Sequence, residues 1–166
     1  MGLTNTETKS TSFERDMSLE RKFERQLKAI LGNQFIGKEV VADLREGTDF
    51  AIFNVRPFRV GVRLRRYKYY NNLKYRKEFT IRYSRPSGVE TEIDKIKKGL
   101  VGYILYGFVD QDEQRIIQYF IGDLEVFNRV SPDPYEIREN YSHDSKLAIY
   151  KIDQLTDDFV VKFWHQ

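Results

Sequence analysis

Between Arg56 and Arg85 the chain carries eleven basic side chains and one acid, Glu78, and much of that block alternates with apolar residues. Over Phe58–Tyr67, Val60, Val62 and Leu64 alternate with Arg59, Gly61, Arg63 and Arg65. A period of two belongs to a strand whose two faces meet different surroundings. The cations are therefore expected on a folded surface, with Arg63 and Arg65 sharing one face, and not on a loose basic tail. Glu78–Ser84 (EFTIRYS) resumes the pattern, with Phe79, Ile81 and Tyr83 against Thr80, Arg82 and Ser84. The Tyr- and Asn-rich segment 68–77 lies between the two runs, and Asn71-Asn72 reads as its turn. Together they predict a long basic β-hairpin.

The formal net charge of +3 conceals this block. Residues 56–85 alone carry +10, and the remaining seventeen basic and twenty-four acidic side chains carry −7. A basic block inside an acidic remainder suits a polyanion partner better than the average charge does.

With 166 residues, 40% of them hydrophobic, the chain is long and apolar enough for one domain with a core. No apolar run reaches the roughly 18 residues that would span a bilayer. The segment MGLTNTETKSTS is polar and lacks the apolar stretch of a secretory signal. Met1-Gly2 with Thr6 superficially fits a myristoylation pattern, but nothing else points to a membrane surface. A cytoplasmic protein without a membrane partner is the expectation. The absence of Cys excludes disulfides, thiolate nucleophiles and Cys-ligated zinc. His143 and His165 are the only histidines, which disfavours multi-His metal sites and His-based relays. Enzymatic chemistry would have to come from carboxylates, Arg, Lys, Tyr, Ser and Thr.

Residues 1–12 read as a polar, disordered tail, and 13–166 as a single domain. Leu19, Phe23, Leu27, Ile30 and Leu31 follow helical spacing and predict a helix over 18–31, ended by Gly32-Asn33. Strands are expected over 38–44 and 48–55. Val89, Ile93 and Ile96 predict a short helix, opened by a capping box at Ser87 and Glu90 and closed by Gly99. Residues 101–109 (VGYILYGFV) read as a buried strand. Strands are also expected over 114–121, 124–130, 147–152 and 159–164, with a loop over 131–145. The order predicts an α+β (mixed α/β) fold: a single central sheet, the basic hairpin, and the N-terminal helix packed on it.

Three sets of residues could carry chemistry. The basic, aromatic segment offers Arg63, Arg65, Arg66, Lys68, Arg82 and Arg85 to phosphates, and Tyr rings including Tyr70 as stacking faces. The same segment also fits a solvated ribbon or a protein-binding face. If the two alternating strands pair, Arg63, Arg65, Thr80 and Arg82 converge into a phosphate site; if not, they face water. Asp49 opens the apolar run FAIF, where either a metal ligand or a turn residue would sit.

On these residues the chain resembles the PD-(D/E)XK, or restriction-endonuclease-like, nucleases, and in spacing the small Holliday-junction resolvases. The likeness covers roughly residues 18–109. It takes in a helix with Glu20 and Glu24, EGTDFAIF with Asp49, the strand GVRLRR, the helix VETEIDKIKK and the strand GYILYGF. It implies Glu20 or Glu24 as the helix acid, Asp49 as the strand acid, and Mg²⁺ or Mn²⁺ as cofactor. Arg63 and Arg65 occupy the family's Glu and Lys positions. A guanidinium cannot ligate Mg²⁺, so this chain departs from the family where the metal is held. Glu92 with Lys95 could supply a relocated acid and base, and reads equally as a surface ion pair. The stretch EFTIRYSRPSGVETEIDKIKKG also resembles uncharacterised phage-type proteins.

Three functions follow as expectations. The first is a nucleic-acid- or polyphosphate-binding protein on a nuclease-like scaffold, with DNA, RNA or a phosphorylated ligand as partner. The second is an active metal-dependent phosphodiesterase, with Asp49, Glu92 and Lys95 catalytic and Asp49 with Glu24 on the metal. The third is a host-protein inhibitor or a binder of a small nucleotide.

Overall fold

The computed structural model describes residues 12–31, 50–52 and 58–165. Residues 1–11 of the tail, the Gly32-Asn33 cap, the segment 38–44, Asp49 and most of the segment 48–55 lie outside the described residues.

The chain begins with α1 (Ser12–Lys22) and α2 (Glu24–Leu31), which form one amphipathic unit. Between them the Phe23 amide donates to Glu20 O, three residues back, so a 3₁₀ turn replaces one α turn without breaking the stripe. There follow β1 (Phe50–Ile52) and β2 (Phe58–Arg65), then α3 (Tyr67–Tyr70) and α4 (Leu73–Arg76), then β3 (Glu78–Ser84). The second half holds α5 (Glu92–Lys97), β4 (Tyr103–Val109), β5 (Ile116–Asp123), α6 (Leu124–Val130), β6 (Glu136–Glu139), β7 (Lys146–Lys151) and β8 (Val160–His165).

The fold class is α+β, as the element order predicts. The strands, however, form two sheets: a five-stranded one ordered β1-β2-β4-β5-β8 and a three-stranded one ordered β3-β7-β6. Among the described strands only the β2–β4 pair is parallel. The expected single sheet and basic hairpin are therefore corrected. β2 and β3 do not pair, because β2 has β1 on one edge and β4 on the other, and β3 takes β7. The segment expected to turn the hairpin is instead α3 and α4. Asn72 caps α4 by accepting from the Lys74 and Tyr75 amides.

The five-stranded sheet is covered on both faces. On one, Leu19, Phe23 and Leu27 pack against Val60, Val62 and Leu64 of β2 and against Leu105, Val109 and Tyr119. On the other, Ile104, Tyr106, Phe108 and Phe120 meet Phe79 and Ile81 of β3, Ala148 and Tyr150 of β7, and the apolar residues of α5 and α6. A strand buried on both faces needs no polar side, which explains the near-continuous apolar run of β4.

Three local expectations fail for identifiable reasons. Residues 124–130 form helix α6 and not a strand, because Asp123 caps it by accepting from the Glu125 and Val126 amides. The expected loop over 131–145 contains β6, paired with β7. The capping box of α5 is Thr91–Asp94, not Ser87–Glu90: one Asp94 oxygen accepts from the Thr91 amide at 2.9 Å and from its hydroxyl at 2.7 Å. Glu90 pairs with Lys98 instead. Gly99 ends α5 at φ +67°. Its amide reaches Ile96 O and that of Leu100 reaches Lys95 O, the paired bonds of a Schellman motif.

Candidate functional site

The alternation in β2 sends Val60, Val62 and Leu64 into the helix-covered core, which leaves Arg63 and Arg65 on the side facing the second sheet. There they meet β3 across a cavity of about 530 Å³. Arg63, Arg65, Thr80, Arg82, Glu92 and Lys95 all line it. Arg66 and Lys68, just past β2, and Arg85, just past β3, extend the lining, and Glu20 of α1 and the loop residues Asn140, Tyr141 and Ser142 complete its rim. Seven cations face three carboxylates (Glu20, Glu90 and Glu92), a net charge of +4. Arg63, Arg65, Thr80 and Arg82 do converge, then, through apposition of two sheets and not through pairing in a hairpin.

Arg65 is positioned by side chains from α3, β3 and β4. Its Nη1 donates to Thr80 Oγ1 and to the Tyr106 hydroxyl, both at 2.9 Å. The two hydroxyls lie 3.2 Å apart. The Tyr69 ring lies under the guanidinium, 4.0 Å from its central carbon. Among the described residues, Nε and Nη2 of Arg65 make no hydrogen bond. A fork held on one nitrogen and on its face, with two donors left over, is prepared for an oxyanion.

Arg63 is held differently. Its Nη2 lies 2.7 Å from Glu92 Oε2, and the same oxygen accepts the Arg82 amide at 2.9 Å. Glu92 thus joins β2, β3 and α5. The Thr91 backbone and side-chain hydrogen bonds hold the neighbouring Asp94 carboxyl below its ordinary range and secure the α5 N-terminus from which Glu92 projects. Arg82 is buried, as is Thr80. Arg66 approaches Glu113 at 3.5 Å on the outer side, and Lys68 lies over the rings of Tyr69 and Tyr141.

Tyr70 is not brought into the cleft. It packs half-buried against Phe108 with Arg76 over its ring, so its faces are taken. Glu24 lies on α2, 2.8 Å from Lys28, and does not line the cavity. Lys95 lines it, but the Glu92 carboxylate pairs with Arg63. Among the described residues, no three His, Cys, Asp or Glu side chains cluster as metal ligands. The described cleft does not fit a divalent cation: Glu92 Oε2 already serves two donors, and the surrounding charge is positive.

Two contributors escaped the sequence reading. Tyr106 sits within an apolar run, and the signal was available: a tyrosine in a buried strand needs a partner for its hydroxyl. Tyr141 sits in a loop with no periodicity to mark it.

A second charged cluster provides contrast. Glu78, the single acid of the basic block, is buried and bonds Arg138 in bidentate fashion at 3.1 Å. Glu136 binds the same guanidinium at 2.7 Å, and these two carboxylates, Glu136 foremost, raise the Arg138 pKa further. Lys74 also approaches Glu136, at 3.7 Å, so there two cations are matched by two acids, whereas the cleft keeps an excess of cations.

No family model matches the chain, and neither the curated proteins nor the solved structures provide a match. Among the described residues, no helix is long and apolar enough to cross a membrane.

Proposed function

We propose that the chain is a cytoplasmic nucleic-acid- or polyphosphate-binding protein, and that the inter-sheet cleft receives the phosphates. The observation that carries this is Arg65: a guanidinium anchored by Thr80, Tyr106 and the Tyr69 ring, with two donors to spare, in a cavity of net charge +4. Arg82, Arg85 and Lys68 line the same cavity and would add charge, and Arg63, tethered by Glu92, would be a weaker contact. The element order α1–α2, β1, β2, α5, β4 supports a nuclease-like scaffold, with α3, α4 and β3 inserted after β2 and β3 given to a second sheet.

Binding of tripolyphosphate and of a short single-stranded oligonucleotide, measured by calorimetry at rising salt, tests the reading. Affinity should fall steadily with salt as counterion release weakens. Arg65→Met should lower it at least tenfold, about the worth of a charged hydrogen bond, with the fold intact. Absence of binding to either probe at low salt, or binding indifferent to Arg65→Met, overturns it.

A further inference from the structure

Tyr141 is 87% exposed and yet lines the cleft. No other large apolar or aromatic side chain of the described residues is so exposed. Its backbone is nonetheless held in a hydrogen-bonded turn. The Tyr141 amide donates to Asn140 Oδ1 at 2.9 Å. Asn140 Nδ2 donates to Ser142, Asp144 and Ser145. The backbone closes the turn through Asn140 N to Ser145 O and His143 N to Asn140 O, both 2.8 Å. A hydrogen-bonded turn thus presents an aromatic side chain to water, where it contributes nothing to the core. The face also adjoins the cations: Lys68 Nζ lies 6.0 Å from the Tyr141 centroid and 5.0 Å from that of Tyr69, and Tyr69 carries Arg65.

Resting on the reading above, we propose that the ligand is a nucleotide unit, with its phosphate on Arg65 and its base stacked on Tyr141. Inorganic polyphosphate has no ring to offer that face. Within a duplex the bases are already stacked on one another. A single-stranded nucleotide has both a phosphate and a free base, and aromatic rings stack any base without regard to sequence. Ser142, next in the chain, lines the same cleft, whereas the Asn140 amide is engaged within the turn. The same chemistry is carried by a free nucleotide and by a nucleotide within a single strand.

The test compares adenosine triphosphate, tripolyphosphate and a short single-stranded oligoadenylate on the full chain. Adenosine triphosphate should bind at least tenfold more tightly than tripolyphosphate, the advantage expected of one stacked base. Tyr141→Leu should erase that advantage and leave tripolyphosphate affinity and thermal stability unchanged, and Tyr141→Phe should keep it. Tyr141-dependent binding of adenosine triphosphate alone assigns a free nucleotide, and equal or tighter Tyr141-dependent binding of oligoadenylate assigns a strand. Equal affinity for adenosine triphosphate and tripolyphosphate, or an equal loss of both in Tyr141→Leu, overturns the proposal while the phosphate site stands. Failure of all three probes to bind removes the phosphate site itself.

Discussion

The two faces of β2 are built from alternate residues of one eight-residue strand, yet they do opposite work. On one side Val60, Val62 and Leu64 are closed off from water by Leu19, Phe23 and Leu27. On the other, Arg63 and Arg65 line a cavity of about 530 Å³ whose far wall is β3. The dry face gains its free energy from area removed from water, which is non-directional and tolerant of sliding. The charged face depends on named atoms: Arg65 on two hydroxyls, Arg63 on one carboxylate. A single strand can thus anchor the fold and present a site, because successive side chains of a strand point to opposite faces.

Breaking the dry face should produce the largest effect. Leu27 is fully buried at its centre, and Leu27→Ala should cost about 3 kcal/mol in denaturant unfolding through lost transfer energy and a residual cavity. Anion affinity per folded molecule should stay constant. A parallel loss of affinity would show that the two faces are not separable.

Glu92→Gln acts on the charged face. It removes one of three cleft carboxylates and releases Arg63 from its ion pair, while the amide oxygen can still accept from Arg82 N–H. Stability should fall by about 1.5 kcal/mol, as for a lost charge-assisted hydrogen bond. Tripolyphosphate binding should tighten severalfold. Weaker binding would mean that Glu92 positions Arg63 for the ligand rather than competing with it.

The smallest effect concerns the support of Glu92 by α5. Asp94 has its pKa depressed below 3.8 by the two Thr91 hydrogen bonds. Its contribution is therefore complete above the unfolded-state value and is lost as pH falls through the lower folded-state value. Asp94→Ala should cost about 1 kcal/mol at neutral pH, a typical cap contribution, and the difference from the parent should shrink in acid as pH falls through the lowered folded-state value. A difference that persists in acid would assign the cap to shape and not to charge.

Elements with strong local signals were legible. The stripe Leu19–Phe23–Leu27, the alternation in β2 and β3, and the apolar run of β4 all lie where the pattern puts them. Elements set by a single cap were not. Residues 124–130 could be strand or helix by hydrophobicity, and Asp123 decides for helix by satisfying two amides. Gly122 beside it accommodates Phe159: a Cβ there would stand 2.4 Å from that ring. β6, with Ile137 exposed, carries too little apolar pattern to be read without its partner β7.

The candidate site divides along the same line. Local order alone determined that Arg63 and Arg65 share a face, that Thr80 and Arg82 share another, and that the cations are concentrated over residues 56–85. These follow from the two-residue period of a strand, which no tertiary contact can alter. Which faces meet was decided only by the tertiary structure. Both edges of β2 are filled by β1 and β4, so β3 joined β7, and the two basic strands approach face to face across a cavity instead of edge to edge. Arg65 reaches Thr80 fifteen residues away and Tyr106 forty-one residues away, and Tyr141 arrives at the rim from a turn between β6 and β7. Such meetings depend on competition among strand edges for hydrogen bonds, a property of the whole chain that no local pattern records.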